Sequence, residues 1–346
     1  MIHTELLIHL SGVGSMTALQ AGVLMIGSYR PDRIVSNSDL APELGVDEEW
    51  ISTRTGITER RFAGNHETVI SMAASAAQKA LDAAKMSASQ IDVVMLATST
   101  HLNNTPAAAA IVAAELGCGG PAAFDISAGC SGYAHGIGQA AALINVGQAD
   151  NILVIGSEKF NNVIDRDDRS VGPIFGDGAG AALVGRTESG HIRRTVWGSD
   201  GTRANLIRQE PTWEELRSAP TTTAPPTLHM EGTEVFRWAT GEVPRIVSEI
   251  AHAGGITLAD VEVFIPHQAN LRIIDGVARK LGWLDESVVI ADDVRRTGNT
   301  SAAALPLAID DLVSSGRAKP GQLALQVSFG AGLSYAGQVF DLPQVA

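Results

Sequence analysis

One stretch of this chain recurs in pattern 170 residues further on, and that recurrence limits the folds open to it. Residues 83–94 and 253–264 both read as a helix end, a Ser/Thr-x-x-Gln/Asp turn and a buried strand. The turns run from Ser87 to Gln90 and from Thr257 to Asp260. The same offset carries Cys130 to Thr300, beside Asn299, with both at strand-turn-helix junctions. It also carries Ile152, in one apolar strand, to Gln322 at the start of another. Three blocks at one spacing describe two copies of a single α/β unit. Strands such as 93–97 and 152–155 are apolar throughout, and 323–327 is apolar but for Gln326, as expected when both sheet faces are covered. Helical patterns over 69–84 and 233–253 lie between them. The chain is therefore divided into a leading extension at 1–19, a half over 20–189 bearing Cys130, and a half over 190–346 bearing His267 and Asn299. Met16 offers a second start, which fits a leader outside the fold. Residues 202–226, polar and rich in Pro and Thr, read as a long insertion or lid-like loop.

Composition narrows the function. Hydrophobic residues make up 45% of the 346, enough for a sizeable core. A net charge of -13 with 5% aromatics leaves no basic footprint for nucleic acid. Two cysteines, Cys118 and Cys130, make no disulfide framework, and no Cys-x-x-Cys or His–Cys pattern offers a metal site. That usage fits a reducing cytoplasm. No apolar run reaches the roughly 18 residues of a membrane span. The chain's start lacks a basic region and a small-residue cleavage site, so a signal peptide is not expected.

Chemistry concentrates in three turns. Cys130 lies in Ser127-Ala128-Gly129-Cys130-Ser131-Gly132, where an apolar strand meets a helix of small residues. A thiol at a helix start feels partial positive charge, so thiolate is expected to be favoured there. The alternative is a small buried cysteine without a role, the reading preferred for Cys118 in its glycine loop. His267, in Pro266-His267-Gln268-Ala269-Asn270, ends a strand at the side where α/β sheets bind ligands. Asn299 sits in Gly298-Asn299-Thr300-Ser301 and by itself reads as a turn residue. Gly330-Ala331-Gly332 is either a tight hairpin or a turn that aims an N–H at an oxyanion.

These motifs, with Gly330-Ala331-Gly332-Leu333-Ser334-Tyr335, resemble β-ketoacyl-ACP synthase III. So do Trp50-Ile51-Ser52-Thr53-Arg54-Thr55-Gly56 and Phe175-Gly176-Asp177-Gly178-Ala179-Gly180, and the likeness spans residues 20–345 in order. The resemblance implies a thiolase-type α/β fold, a five-layered α-β-α-β-α sandwich of two duplicated halves, and a homodimer. It implies an acyltransferase without metal or cofactor, taking an acyl-CoA and malonyl-acyl carrier protein as substrates. Cys130 would hold the acyl group, with the N–H groups of Cys130 and Ala331 as oxyanion hole. His267 and Asn299 would stabilise the enolate left by decarboxylation. Trp50, Arg54, Arg169 and Asn270 would bind CoA, while Arg237, Arg272, Arg279 and Lys280 would meet the carrier protein. The last three lie at i, i+7 and i+8, on one helix face that could equally be ordinary solvated surface. Two positions depart from the family's habit: Ala331 stands where glycine is common, and Thr105 where a bulky aromatic often closes the acyl pocket. A smaller Thr105 implies longer or branched primers. The alternatives are a related acyltransferase or a condensing enzyme of specialised, polyketide-type metabolism. A non-catalytic carrier-binding subunit would be expected to lack the cysteine.

Overall fold

The computed structural model describes residues 20–221, 224–285 and 287–346, so the leading segment 1–19 lies outside the described residues. The repeat is visible in its smallest parts. Ser87 opens the 3-10 turn Ala88–Gln90 and Thr257 opens Leu258–Asp260, 170 residues apart at both ends. In each, the third side chain returns to the cap: Gln90 Oε1 accepts the Ser87 N–H at 3.1 Å, and Asp260 Oδ2 accepts the Thr257 N–H at 2.8 Å. Each turn delivers a fully apolar strand, Val93–Ala97 and Val263–Pro266.

Two sheets follow the same plan. The first runs Gln20–Tyr29, Gly178–Thr187, Asn151–Glu158, Val93–Ala97, Ala122–Ile126, with the short Gln344–Val345 added beside Gln20–Tyr29. The second runs Val196–Gly198, Tyr335–Asp341, Leu323–Phe329, Val263–Pro266, Val289–Ile290. Strand directions match place for place. The Val93–Ala97 strand is parallel to both neighbours, as is Val263–Pro266, and the other pairs of the two five-strand frames are antiparallel, while the added Gln344–Val345 runs parallel to Gln20–Tyr29.

Covering helices make the layers. Val69–Ala84 and Ala108–Glu115 close the outer face of the first sheet, setting Met72, Ala76 and Val112 against Val94, Leu153 and Leu183. Gly232–Ala253 and Leu271–Leu281 close the outer face of the second, with Val243, Ile246 and Val277 against Phe264, Leu325 and Val339. Gly132–Asn145 and Ala304–Ser314 lie between the sheets in one core with residues of both. The result is an α-β-α-β-α sandwich. The central helix must tolerate sheets on both sides, and its small residues allow it: a Cβ on Gly136 would stand 2.7 Å from a Val154 methyl.

The insertion is more ordered than its composition suggests. A 3-10 run Gly201–Leu206 leads into strand Ile207–Glu210, helix Trp213–Ser218 and strand Thr227–Met230, the two strands pairing antiparallel. Thr212 and Glu215 close a capping box at the helix start. Leu228 and Met230 pack on Phe160, Val163 and Phe175, so the hairpin is anchored to the first half by apolar contact.

Candidate active site

The strand Leu323–Phe329 is where the separated motifs meet. Its Val327 carbonyl accepts the His267 N–H at 2.7 Å, and its Ser328 hydroxyl donates to the Cys130 carbonyl at 2.8 Å. Phe329 stands edge-on to the His267 ring, with centroids 5.2 Å apart and planes at 89°. The next residue, Gly330, lies so close to the nucleophile's turn that a Cβ there would be 2.7 Å from the Cys130 nitrogen. A Cβ on Gly129 would be 3.2 Å from the Ala331 nitrogen. The two turns therefore set the N–H groups of Cys130 and Ala331 side by side. Neither donates to another residue among those described. Of the two readings of Gly330-Ala331-Gly332, the geometry favours an anion-binding turn.

Asn299 arrives from the other direction. Its N–H donates to the Ile174 carbonyl at 2.8 Å and its carbonyl accepts from Gly176 at 3.1 Å, pinning it to the segment before Asp177. Its side-chain Oδ1 accepts the Ser301 N–H at 2.8 Å. The amide nitrogen is left uncommitted among the described residues. Ser301 in turn adjoins the Cys130 thiol. Cys130, His267, Asn299 and Ala331 thus share one cluster.

The electrostatics correct one expectation. Cys130 does sit in a 3-10 turn, Gly129–Ser131, directly before the helix Gly132–Asn145. Burial nevertheless pushes its thiol up to about 12, outweighing the lowering by the Ser301 hydroxyl and by its own N–H, while nearby Glu158 raises it further. The resting group is a thiol rather than a thiolate, because desolvation of the sulfur exceeds what a helix end supplies. Burial acts on His267 in the opposite sense and lowers it to about 3, so the ring is neutral across the physiological range. Its Nδ1 is buried without a partner, and no described residue hydrogen-bonds either ring nitrogen. Neutral His267 and the free Asn299 amide are two donors without acceptors.

The outer residues fall into groups. The Arg54 guanidinium lies 4.4 Å over the Trp50 ring, one turn apart on helix Glu48–Thr55. Asn270 Nδ2 donates to the Arg54 carbonyl at 3.1 Å and its Oδ1 caps helix Leu271–Leu281 through the Arg272 N–H. Asn270 is therefore a joint between two helices. Arg169 gives its Nε and one terminal nitrogen to the carbonyls of Leu44 and Gly45, at 2.8 and 3.0 Å. Arg237 is paired with Glu234 at 2.6 Å, Arg272 covers the Phe236 ring, and Arg279 and Lys280 are exposed and make no ion pair with another described residue. Thr105 is exposed, just before the cis peptide to Pro106. A cavity of about 480 Å³ opens beside Ile126 and Ser127, walled by Leu102, Phe160, Trp213 and Leu228. Sequence reading passed over Phe329, Ser328, Ser301 and Glu158. Glu158, an acid ending an apolar strand, carried the one signal that could have exposed it.

Among the described residues no group of three or more His, Cys, Asp or Glu side chains is arranged to hold a metal ion. None of the described helices is long and apolar enough to cross a membrane.

Comparison with known proteins agrees with this geometry. Residues 124–201 match the family described as 3-oxoacyl-[acyl-carrier-protein (ACP)] synthase III, and residues 251–342 match its C-terminal counterpart. A β-ketoacyl-[acyl-carrier-protein] synthase III of Mycobacteroides abscessus is 47% identical, covering 94% of this chain and 95% of its own length. The mycobacterial synthase III of Mycobacterium marinum is 48% identical over 96% of this chain and 97% of its own. Among solved structures, a priming β-ketosynthase from the R1128 polyketide pathway superposes with TM-score 0.91 and 42% identity, over 94% of this chain and 97% of that one. The synthase III of Aquifex aeolicus superposes with TM-score 0.85 and 35% identity, over 93% of this chain and 99% of that one. The fold and the site define a thiolase-fold condensing enzyme. The chain belongs to the β-ketoacyl-ACP synthase III family and is an acyltransferase of that kind.

Proposed function

We propose that the enzyme condenses an acyl-CoA primer with malonyl-acyl carrier protein in two half-steps and so initiates fatty acid synthesis. The observation that carries this is the convergence of one half-buried thiol, two adjacent free N–H groups and two neutral side-chain donors around the end of one strand and the turn that holds Ser301. Cys130 Sγ attacks the primer thioester and holds the acyl group, while the Cys130 and Ala331 N–H groups receive the oxyanion. Malonyl-carrier protein then loses carbon dioxide, leaving an enolate whose charge rests on its thioester oxygen. His267 and Asn299 stabilise that oxygen as neutral donors, and no proton is taken from carbon. The carbanion attacks the acyl-cysteine and 3-oxoacyl-carrier protein departs. The reaction so written needs no metal or cofactor.

The stacked Trp50 and Arg54 suit the adenine and phosphate end of CoA, with Arg169 beside the preceding helix. Asn270 supports that site by joining its two helices. Arg272, Arg279 and Lys280 offer a basic face for an acidic carrier, with Arg237 contributing less because Glu234 already neutralises it. We place the protein in the cytoplasm as a homodimer. The open edge strand Ala122–Ile126, with Phe124 37% exposed and nearby Leu102 54% exposed, supports pairing there. Thr105, exposed in one protomer, would then wall the partner's acyl pocket and leave room for primers longer than acetyl.

Intact-protein mass after mixing with a panel of acyl-CoAs, then a malonyl-carrier protein chase, tests the reading, with Cys130→Ala as control. An adduct on Cys130 that disappears as 3-oxoacyl-carrier protein forms is the expected result. An adduct that the chase cannot discharge would overturn it in favour of an acyltransferase to another acceptor. The likeness to the R1128 priming enzyme favours a second reading of pathway only, in which the same reaction supplies a specialised polyketide-type product. Purified carrier proteins from each pathway, used in parallel chases, decide between the two.

A further inference from the structure

The strand Asn151–Glu158 ends in an acid to which the chemistry above gives no task. Glu158 is fully buried. Its Oε2 accepts the Thr100 hydroxyl at 2.7 Å, the Ser99 N–H at 2.9 Å and the Thr98 hydroxyl at 3.1 Å. Its Oε1 is buried with no partner. Ser301 Oγ adjoins both this carboxyl and the Cys130 thiol, close enough to stabilise the charged form of each, yet makes no hydrogen bond in the resting geometry. Ser301 also has φ 50°, a left-handed conformation that costs a non-glycine residue roughly 1–3 kcal/mol and tends to mark functional sites. The Asn299 side chain holds its N–H in that conformation. Strand end and turn are in direct contact, since a Cβ on Gly156 would be 2.2 Å from the Ala302 carbonyl. Two orphaned buried polar atoms beside a nucleophile call for an explanation.

We propose that Ser301 and Glu158 carry the Cys130 proton during acyl transfer. As Sγ bonds to the thioester carbon, the thiol proton passes to Ser301 Oγ and the Ser301 hydroxyl proton passes to Glu158 Oε1. The carbon–sulfur bond to CoA breaks, and the CoA thiolate takes a proton from solvent. When condensation breaks the carbon–Sγ bond, the thiolate recovers its proton from Ser301, and Ser301 from Glu158. Ser301 touches the reacting sulfur, whereas Glu158 acts through it as a positioning residue. The inference rests on the acyl-transfer reading given above.

Charge explains why the arrangement works. The pocket holds one negative charge, on the carboxylate before transfer and at the sulfur during it. A carboxylate that kept its charge would repel the thiolate. Burial raises Glu158 to about 6, so it is ionised and able to accept at neutral pH, while His267, near 3, is the weaker base. Of the other titratable groups on the packed elements, Lys159 Nζ donates to the Gly64 and Glu67 carbonyls and Asp177 accepts the Ala63 and Asn161 N–H groups. His101, next to Thr100, has a buried Nε2 without a partner and lines the cavity that Thr98 and Ser99 also wall.

The test compares Glu158→Gln, Glu158→Asp and Ser301→Ala with the native enzyme in three measurements. These are the pH–rate profile of Cys130 alkylation by iodoacetamide, Cys130 acylation by acyl-CoA, and carbon dioxide release from malonyl-carrier protein. Glu158→Gln is expected to slow acylation about a hundredfold. It should also slow alkylation and erase an inflection near pH 6, with carbon dioxide release unchanged. Ser301→Ala should act in the same direction, and Glu158→Asp should keep the inflection at a reduced rate. A carboxylate that merely repels the thiolate predicts the opposite sign, faster alkylation in Glu158→Gln. That result, or native rates, or equal loss of both half-steps, overturns the proposal. If the native protein takes no acyl group from any acyl-CoA, the acyl-transfer reading fails on its own, and the alkylation profiles still decide the proton route.

Discussion

The division of labour between Cys130 and the His267–Asn299 pair can be separated by substitution. Removing either donor, as His267→Ala or Asn299→Ala, leaves the thiol and its two N–H groups in place. Acylation of Cys130 should persist, while malonyl-carrier protein decarboxylation falls by roughly 10²–10³-fold per lost donor. Measuring carbon dioxide release beside intact mass checks both halves, and equal loss of both would contradict the assignment. Because burial keeps His267 neutral down to about 3, its protonation should leave no acid limb above pH 5 in the decarboxylation rate of acylated enzyme. Gly330→Ala should abolish both steps, since its Cβ would displace the Cys130 nitrogen from 2.7 Å. At this scale the sequence was legible where chemistry needs a particular residue type in a glycine-bearing turn. It was not legible where the effect comes from surroundings. Helix position suggested a thiolate, but desolvation is a property of the packed core and it reversed the sign at Cys130. Ser301 sat inside a recognised motif without its left-handed backbone being visible.

Elements show the same boundary between local and tertiary information. The Val69–Ala84 helix and the paired turns at Ser87 and Thr257 follow from spacing and capping, which are local. The pairing of Ile207–Glu210 with Thr227–Met230, which closes the insertion, does not, because it depends on the apolar bed at Phe160 and Phe175; residues 222–223 between them lie outside the described residues. The resemblance implied that Asn270 binds CoA, and both its polar ends are spent on joining helices Glu48–Thr55 and Leu271–Leu281. Asn270→Ala should therefore cost about 0.5–2 kcal/mol of stability through the lost cap. It should also raise the KM for acyl-CoA through displacement of Arg54, with little change in kcat. Arg54→Ala should raise KM without the stability loss, because Arg54 is exposed and caps nothing, whereas Trp50 also packs on the cluster of Leu40, Ile51 and Phe62. Denaturant midpoints together with steady-state kinetics on both variants separate a structural joint from a direct CoA contact.

The molecule as a whole was the most legible scale, because duplication writes itself into the chain as an offset and needs no tertiary knowledge to read. The sandwich that results buries several acids whose ordinary range lies well below neutrality. Burial raises Glu158, Asp177 and Asp293 each to about 6, the last despite Arg30 at 3.6 Å. A carboxyl raised in the folded state contributes stability fully present below its unfolded value and lost as pH rises through the folded one. The window for these three runs from about pH 4 to 6. His267, lowered to about 3, works the other way, and its contribution is present above its ordinary 6.5 and lost as pH falls. Between about pH 4.5 and 6 the folded chain thus holds up to three extra protons against one extra in the unfolded chain. The net of two makes stability fall with rising pH by on the order of 2–3 kcal/mol per unit. Further down, Asp292 and Glu67, both held below the usual carboxylate range, lose their hydrogen-bonded charge and the slope reverses. Maximum stability is therefore expected between pH 4 and 6, and urea midpoints measured from pH 4 to 8 check it. Asp293→Asn should flatten the descending limb by removing one of the three protons. A midpoint climbing steadily from pH 5 to 8 would show that these acids are not held protonated by the core.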